Sequence, residues 1–145
     1  MADQNELDKT YLSMAHTWSS LSRATRKKVG CLIVKDGAII SDGYNGTPKG
    51  FDNNCEFLPL NPLDTELITK PEVLHAESNA ITKLAKSTQS SKGSTMYITI
   101  SPCVECAKLI IQSEISRVVY GKLYKNQNGL NLLRQAKIKI TELNI

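Results

Sequence analysis

His75 and Glu77 stand two residues apart in Leu74-His75-Ala76-Glu77, and Cys103 and Cys106 stand three apart in Ser101-Pro102-Cys103-Val104-Glu105-Cys106. One imidazole and two thiolates form a donor set suited to Zn²⁺. Three protein ligands leave a coordination position open, as in catalytic rather than structural zinc sites. Two thiolates cancel the ion's charge, yet a water drawn to such an ion can still fall from a pKa of about 15.7 towards roughly 7. Glu77 completes the chemistry. A carboxylate beside that water can take its proton and pass it on, so Glu77 reads as a proton shuttle and not as a ligand.

Each half of this pattern is weak alone. A lone Cys-x-x-Cys also serves redox or structural roles, and His-x-Glu arises by chance. Here no second Cys-x-x-Cys and no His-x-x-x-His completes a closed four-ligand site. The two halves gain weight together because each opens a predicted helix. Cys103 and Cys106, three apart at a helix start, face the same way. The electropositive helix N-terminus helps hold both as thiolates. If the two helices lie side by side, their N-termini bring His75 to the sulfurs.

The elements that must position these residues follow from periodicity. Leu7, Tyr11, Met14, Ala15, Trp18 and Leu21 fall on one face of a first helix, with Trp18 and Tyr11 packing in the core and His16 off that face. Val29 to Val34 reads as a buried strand, Asp36-Gly37 as a hairpin turn, and Ala38 to Tyr44 as the returning strand. Asn45 to Pro71, with Pro48, Pro59, Pro62 and Pro71, reads as a long functional loop. Pro71 marks a helix start, and Leu74, Glu77, Ala80, Ile81, Leu84 and Ala85 carry that helix to about Lys86. Thr95 to Ile100 is a third strand, followed by a helix with Cys103, Cys106, Ala107, Ile110 and Ile111 on one face. A strand at 117–120, a short helix around Leu130, Leu133 and Ala136, and a strand at 138–141 complete the order. A hairpin followed by strand–helix alternation predicts a mixed sheet with helices on both faces.

The bulk properties agree with one globular domain over residues 1–145. The chain is 41% apolar and 22% charged, enough for a core without disulfides. Its net charge of +4 suits a small anionic ligand and is too mild to argue for nucleic acid. Met1-Ala2-Asp3-Gln4 begins no apolar run and no stretch could span a membrane, so a cytoplasmic, reducing location is expected. There the cysteines are ligands or buried thiols. Cys31, in an apolar strand, reads as core, and Glu105 as a surface charge at a helix start. Cys55 and His16 together have the residue types for a second metal, which nothing else in the pattern supports. The basic run Ser22 to Lys28 reads as a solvated connection, except that Arg26 could hold a phosphate by its guanidinium fork.

With these stretches in place, the chain resembles the deoxycytidylate (dCMP) deaminases of the zinc-dependent cytidine deaminase-like superfamily, which carry H-x-E…P-C-x-x-C. The likeness runs from about Arg26 to Tyr124. It rests on Val29-Gly30-Cys31-Leu32-Ile33-Val34, Gly43-Tyr44-Asn45-Gly46-Thr47-Pro48-Lys49-Gly50, His75-Ala76-Glu77-Ser78-Asn79-Ala80-Ile81, Met96-Tyr97-Ile98-Thr99 and Pro102-Cys103-Val104-Glu105-Cys106-Ala107-Lys108-Leu109-Ile110-Ile111. The resemblance implies an α/β fold, a three-layer α-β-α arrangement with a five-stranded mixed sheet. It implies Zn²⁺ on His75, Cys103 and Cys106, Glu77 as shuttle, and conversion of dCMP and water to dUMP and ammonia.

By family position, Asn45 would bond the sugar, the Ala76 backbone the base carbonyl, and the Ser101 carbonyl the exocyclic amine, with Pro102 beside it. Arg26, Tyr120, Lys122 and Tyr124 would hold the 5′-phosphate. The resemblance further implies a homohexamer regulated by dCTP as activator and dTTP as inhibitor. The effectors would sit at Gly43, Tyr44, Asn45 and Gly46, with Mg²⁺ on the triphosphate, and Lys83 and Lys86 would lie on the polar side of a helix packed between subunits. Ser22-Arg23-Ala24-Thr25-Arg26 lacks the cysteine that some relatives carry there, which leaves a second zinc without that ligand. Two other readings share the motifs: a tRNA adenosine deaminase, against which the mild charge and the Gly-Tyr-Asn-Gly loop argue, and a non-catalytic zinc module, which would not need Glu77.

Overall fold

The structure is a computed structural model that describes residues 1–58 and 66–144; Pro59 and Pro62 of the predicted loop lie outside them. Strands β1 (Gly30–Lys35) and β2 (Ala38–Tyr44) form the predicted hairpin. Asp36 and Gly37 at its tip have φ of 50° and 76°, positive at both positions as a type I′ turn requires. β1 also pairs antiparallel with β5 (Thr95–Ile100), and β5 runs parallel to β6 (Arg117–Lys122), which runs parallel to β7 (Lys139–Glu142). The sheet order is β2-β1-β5-β6-β7, a five-stranded mixed sheet. Its parallel pairs are crossed by α3 (Val104–Gln112) and α4 (Asn128–Gln135), because parallel strands need a helix-sized connection.

Side-chain alternation splits the core in two. Cys31, Ile33, Met96, Ile98 and Val118 face α2 (Ala76–Leu84), α3 and α4, through Ala80, Leu84, Ala107, Ile110, Leu130 and Leu133. Leu32, Val34, Tyr97 and Val119 face the other way, onto Leu12 and Ala15 of α1 (Gln4–Ser19). One helix therefore covers one face and three cover the other, the expected three layers.

Several expectations change. Helix α1 opens on a capping box in which Asp3 and Glu6 satisfy each other's backbone N–H groups at 2.8 and 2.9 Å. Its buried stripe is Asp8, Leu12 and Ala15, whereas Met14, Trp18 and Leu21 are 41%, 37% and 46% exposed. An aspartate occupies the inner face because it is needed there. Asp8 receives two bonds from Arg117, at 2.9 and 2.7 Å, and one from the Tyr97 hydroxyl at 2.6 Å. Trp18 lies at the rim, its indole N–H donating to Asp42 at 3.0 Å, and Lys83 pairs with the same carboxylate.

Helix α2 starts at Ala76, not at Pro71. Leu74 exchanges two backbone bonds with Gly46, at 2.8 and 3.0 Å, and this pairing holds the chain extended up to His75. The predicted loop from Asn45 to Pro71 also contains a small hairpin, β3 (Glu56–Phe57) against β4 (Ile68–Thr69). No helix among the described residues is long and apolar enough to cross a membrane.

Candidate active site

Two helix starts meet at the site. His75 is the N-cap residue of α2 and Cys103 that of α3, and neither uses its side chain to cap its helix. Both side chains are therefore free to turn towards each other. His75 Nδ1 lies 3.2 Å from Cys106 Sγ and 3.5 Å from Cys103 Sγ, and the three donor atoms all fall within 4.8 Å of one another. Tetrahedral Zn²⁺, with Zn–N near 2.05 Å and Zn–S near 2.3 Å, needs N···S separations of roughly 3.5 Å. The donor set fits zinc in type and spacing. It is the single His/Cys/Asp/Glu cluster of that kind among the described residues. Cys55 and His16 are not joined in a second one: Cys55 lies in the wall of the cleft described below, and His16 lines a different depression with Gly121 and Lys122.

The loop that presents the sulfurs is fixed from behind. Ser101 leaves β5 with its N–H donating to the Lys122 carbonyl at 2.8 Å, and its hydroxyl accepts the Tyr124 N–H at 2.7 Å. Pro102 is fully buried. Gly129, in the first turn of α4, packs against this backbone so closely that an added Cβ would stand 2.1 Å from the Pro102 carbonyl oxygen. Gly129→Ala is thus expected to push the Cys103 loop aside. A loss of about 2–3 kcal/mol in urea unfolding is expected, with zinc content falling in parallel.

Charge in the site is organised around one carboxylate and two sulfurs. Glu77 is 4% exposed, and burial pushes its carboxyl above the usual carboxylate range, with the His75 charge opposing. The Cys106 thiol bond, followed by the one from His75, holds Cys103 down at about 3. Cys106 is pushed up by its bond to the Cys103 thiolate and by burial. His75 is raised chiefly by its bond to Cys103. A divalent cation would take the place of the protons on these groups, so metal affinity here must rise with pH.

The cleft over these groups has a volume of about 280 Å³. Its lining includes His75, Ala76, Glu77, Ser101 and Cys103, and also Arg26, Asn45 and Tyr124. Of the other sequence-selected residues, Cys106 joins through the ligand cluster, while Pro102, Gly43, Tyr44, Gly46, Tyr120 and Lys122 do not line the cleft. Tyr120 is 3% exposed and its hydroxyl donates to Glu142 at 3.1 Å, so it belongs to the β6–β7 packing and not to the cleft. Lys122 lines the depression with His16. Tyr120 and Lys122 stand two apart on β6, on one face of the sheet, and the chain reaches the cleft only beyond the strand, at Tyr124.

Asn45 is busier than its sequence position suggests. Its Oδ1 accepts the Val29 N–H at 2.9 Å, its Nδ2 donates to the Lys27 carbonyl at 2.8 Å, and its own carbonyl accepts from Ser22 at 2.8 Å. It thus fixes the basic segment as well as lining the cleft. Gly43, at the end of β2, lies against α2, where a Cβ would stand 2.5 Å from the Ala76 carbonyl oxygen. Asn79 of α2 donates to the Tyr44 carbonyl at 2.8 Å. The Gly43–Gly46 stretch is therefore clamped to α2.

Other wall residues were not anticipated. Lys27 holds its ammonium 5.1 Å over the Tyr124 ring, and Val29, Thr69 and Val73 complete the wall. The basic run signalled Lys27 without distinguishing it from its neighbours. Thr69 and Val73 come from a loop whose return to the cleft carries no local signal. Glu105 is exposed and pairs with Lys108 at 2.9 Å, a surface role.

Comparison with known proteins agrees with this geometry. The family model for the cytidine and deoxycytidylate deaminase zinc-binding region matches residues 5–122. The chain belongs to the cytidine and deoxycytidylate deaminase family. It is 36% identical to the deoxycytidylate deaminase of Enterobacteria phage T4, over 90% of this chain and 86% of the relative. It is also 36% identical to the human deoxycytidylate deaminase, over 81% of this chain and 66% of that one. The dCMP deaminase of the cyanophage S-TIM5, solved in complex with dCMP and dUMP, superposes with a TM-score of 0.89 at 37% identity, covering 98% of this chain and all of that one. His75, Glu77, Cys103 and Cys106 all lie inside the matched region.

Proposed function

We propose that this chain hydrolyses deoxycytidine 5′-monophosphate, dCMP and water giving dUMP and ammonia, with Zn²⁺ held by His75, Cys103 and Cys106. The observation that carries the reading is one cleft holding a buried Glu77 beside the His/Cys/Cys cluster together with the cations Arg26 and Lys27. When bound, Zn²⁺ supplies the Lewis acidity that makes water a competent nucleophile at neutral pH. Glu77 takes the proton of the attacking water and returns protons to ring N3 and to the departing amine. Burial serves this cycle, since it raises the carboxyl above the usual carboxylate range and so makes it a stronger base for the proton of the water.

The Ala76 N–H, free at the first turn of α2, would bond the base carbonyl, and the Ser101 carbonyl the exocyclic amine. Asn45 would meet the sugar. Arg26, Lys27 and Tyr124 would hold the phosphate. The same reading places dCTP and dTTP, with Mg²⁺ on the triphosphate, at Gly43 to Gly46 in a hexamer. Its support is the clamp between that stretch and α2, which carries His75 at its start. Addition of dTTP should then raise the apparent KM for dCMP.

The test is ammonia release from dCMP, CMP, deoxycytidine and dCTP. The deoxynucleoside monophosphate should be best, and a different best substrate would keep the chemistry and overturn the substrate. Chelation should abolish turnover and added Zn²⁺ restore it; turnover that survives complete metal removal would sink the zinc assignment.

A further inference from the structure

Glu56 is a buried carboxylate in the short β3–β4 hairpin, 5% exposed, and no reacting group needs it. Among the described residues no lysine or arginine forms an ion pair with it. Instead, Glu56 Oε2 accepts two successive backbone N–H groups, from Thr25 at 2.9 Å and from Arg26 at 3.0 Å. A second link joins the same two segments, for Arg26 Nη1 donates to Thr69 Oγ1 of β4 at 3.2 Å. Thr69 and Glu56 face each other across the hairpin, being register partners. The hairpin therefore grips both the backbone and the guanidinium of Arg26, which is exposed and lines the cleft.

The Thr25–Arg26 segment has no regular structure of its own. A long side chain on such a segment has much rotamer freedom to lose when it meets a ligand. Charge-assisted bonds to backbone N–H groups are the stronger sort, and a buried acceptor left without them would be costly, so this contact is not incidental.

We propose that Glu56 is a positioning residue: by fixing the Thr25–Arg26 backbone it aims the Arg26 guanidinium at the substrate phosphate and so sets the preference for a nucleotide over a nucleoside. The inference rests on the phosphate role given to Arg26 above. The hairpin that carries Glu56 comes from the long Asn45–Pro71 segment, so that segment contributes to substrate choice without touching the base.

Steady-state kinetics on dCMP, with dUMP binding by calorimetry, test it. Glu56→Ala should raise the KM for dCMP and the Kd for dUMP about tenfold and leave kcat within about twofold, because an interaction made equally in ground and transition states affects KM alone. Glu56→Gln, whose amide oxygen can still accept both N–H groups, should keep KM within about threefold of wild type. In the Arg26→Ala background Glu56→Ala should add nothing, since both changes remove one interaction.

A purely structural glutamate predicts the opposite: a lower active fraction, seen as reduced kcat at unchanged KM, with effects that add in the double variant. Either result overturns the proposal, as does a Gln variant as impaired as Ala. If Glu56→Ala does not fold, Thr69→Val cuts the second link alone and should raise KM about threefold; an unchanged KM counts against the proposal. Should Arg26→Ala leave KM unchanged, the phosphate role of Arg26 fails and the proposal with it. A wild-type chain that neither binds dUMP nor turns over dCMP would overturn the proposed function itself.

Discussion

Glu77→Gln is expected to lower kcat about a thousandfold while the protein still binds about one zinc per chain. Glutamine nearly matches the shape of the buried carboxyl, so no cavity is opened and His75, Cys103 and Cys106 keep their places. It can neither accept the proton of the water nor return it to the base. The KM for dCMP should change little, because Glu77 acts on protons that move in the transition state. Single-turnover ammonia release, read beside metal analysis of the same sample, checks this. A variant with full activity would show the proton path to be wrong. One that loses zinc together with activity would make Glu77 a support for the ligands rather than a shuttle.

The second large effect lies on the opposite face of the sheet and concerns stability. Asp8→Ala should cost roughly 3–5 kcal/mol in urea unfolding at neutral pH, the usual cost of removing one partner of a buried ion pair. The change leaves Arg117, whose side chain is 21% exposed, without the carboxylate that takes two of its bonds, and leaves the Tyr97 hydroxyl without its acceptor. Burial alone would raise the Asp8 carboxyl, but the bonds from Arg117, Tyr97 and Gln4 outweigh it and hold the group below its ordinary 3.8. Asp8 thus binds its proton more weakly folded than unfolded. Its contribution is present above about pH 3.8 and is lost as pH falls through the lower folded value. Wild type and Asp8→Ala should therefore differ most near neutrality and converge in strong acid, and a gap that does not shrink below pH 3 would contradict the assignment. The KM of the folded variant for dCMP should match wild type, since α1 packs on the face away from α2 and α3.

The middle of the sheet was legible because β1 and β5 are buried on both faces and bounded by turn residues. Val29 to Val34, Asp36-Gly37 and Thr95 to Ile100 announce themselves by short-range chemistry alone. Helix faces were less so. Periodicity put Leu7 on the inner face, yet Asp8 is the buried residue there, because its partners Tyr97 and Arg117 lie 89 and 109 positions away in the chain. Trp18 looked like core for the converse reason: the acceptor for its indole, Asp42, is on a strand that periodicity cannot place next to α1. Tyr120 and Lys122 do not line the cleft: resemblance transfers a segment, whereas the point at which β6 ends decides that the chain reaches the cleft only at Tyr124.

Within the site, local spacing alone singled out the candidate reacting groups. His75 and Glu77 two apart, and Cys103 and Cys106 three apart at helix starts, are short-range relations that survive in any fold that forms those helices. Only the tertiary structure decided that the two helix starts meet within 3.5 Å, that Gly129 leaves room for the Pro102–Cys103 backbone, and that Glu56 takes hold of Arg26 across 30 residues of chain. The physical reason is common to all three. A metal ligand set needs particular residue types at fixed short intervals, and these are written in the chain; a backbone contact or a buried acceptor needs only an atom at the right place, and many sequences could supply it.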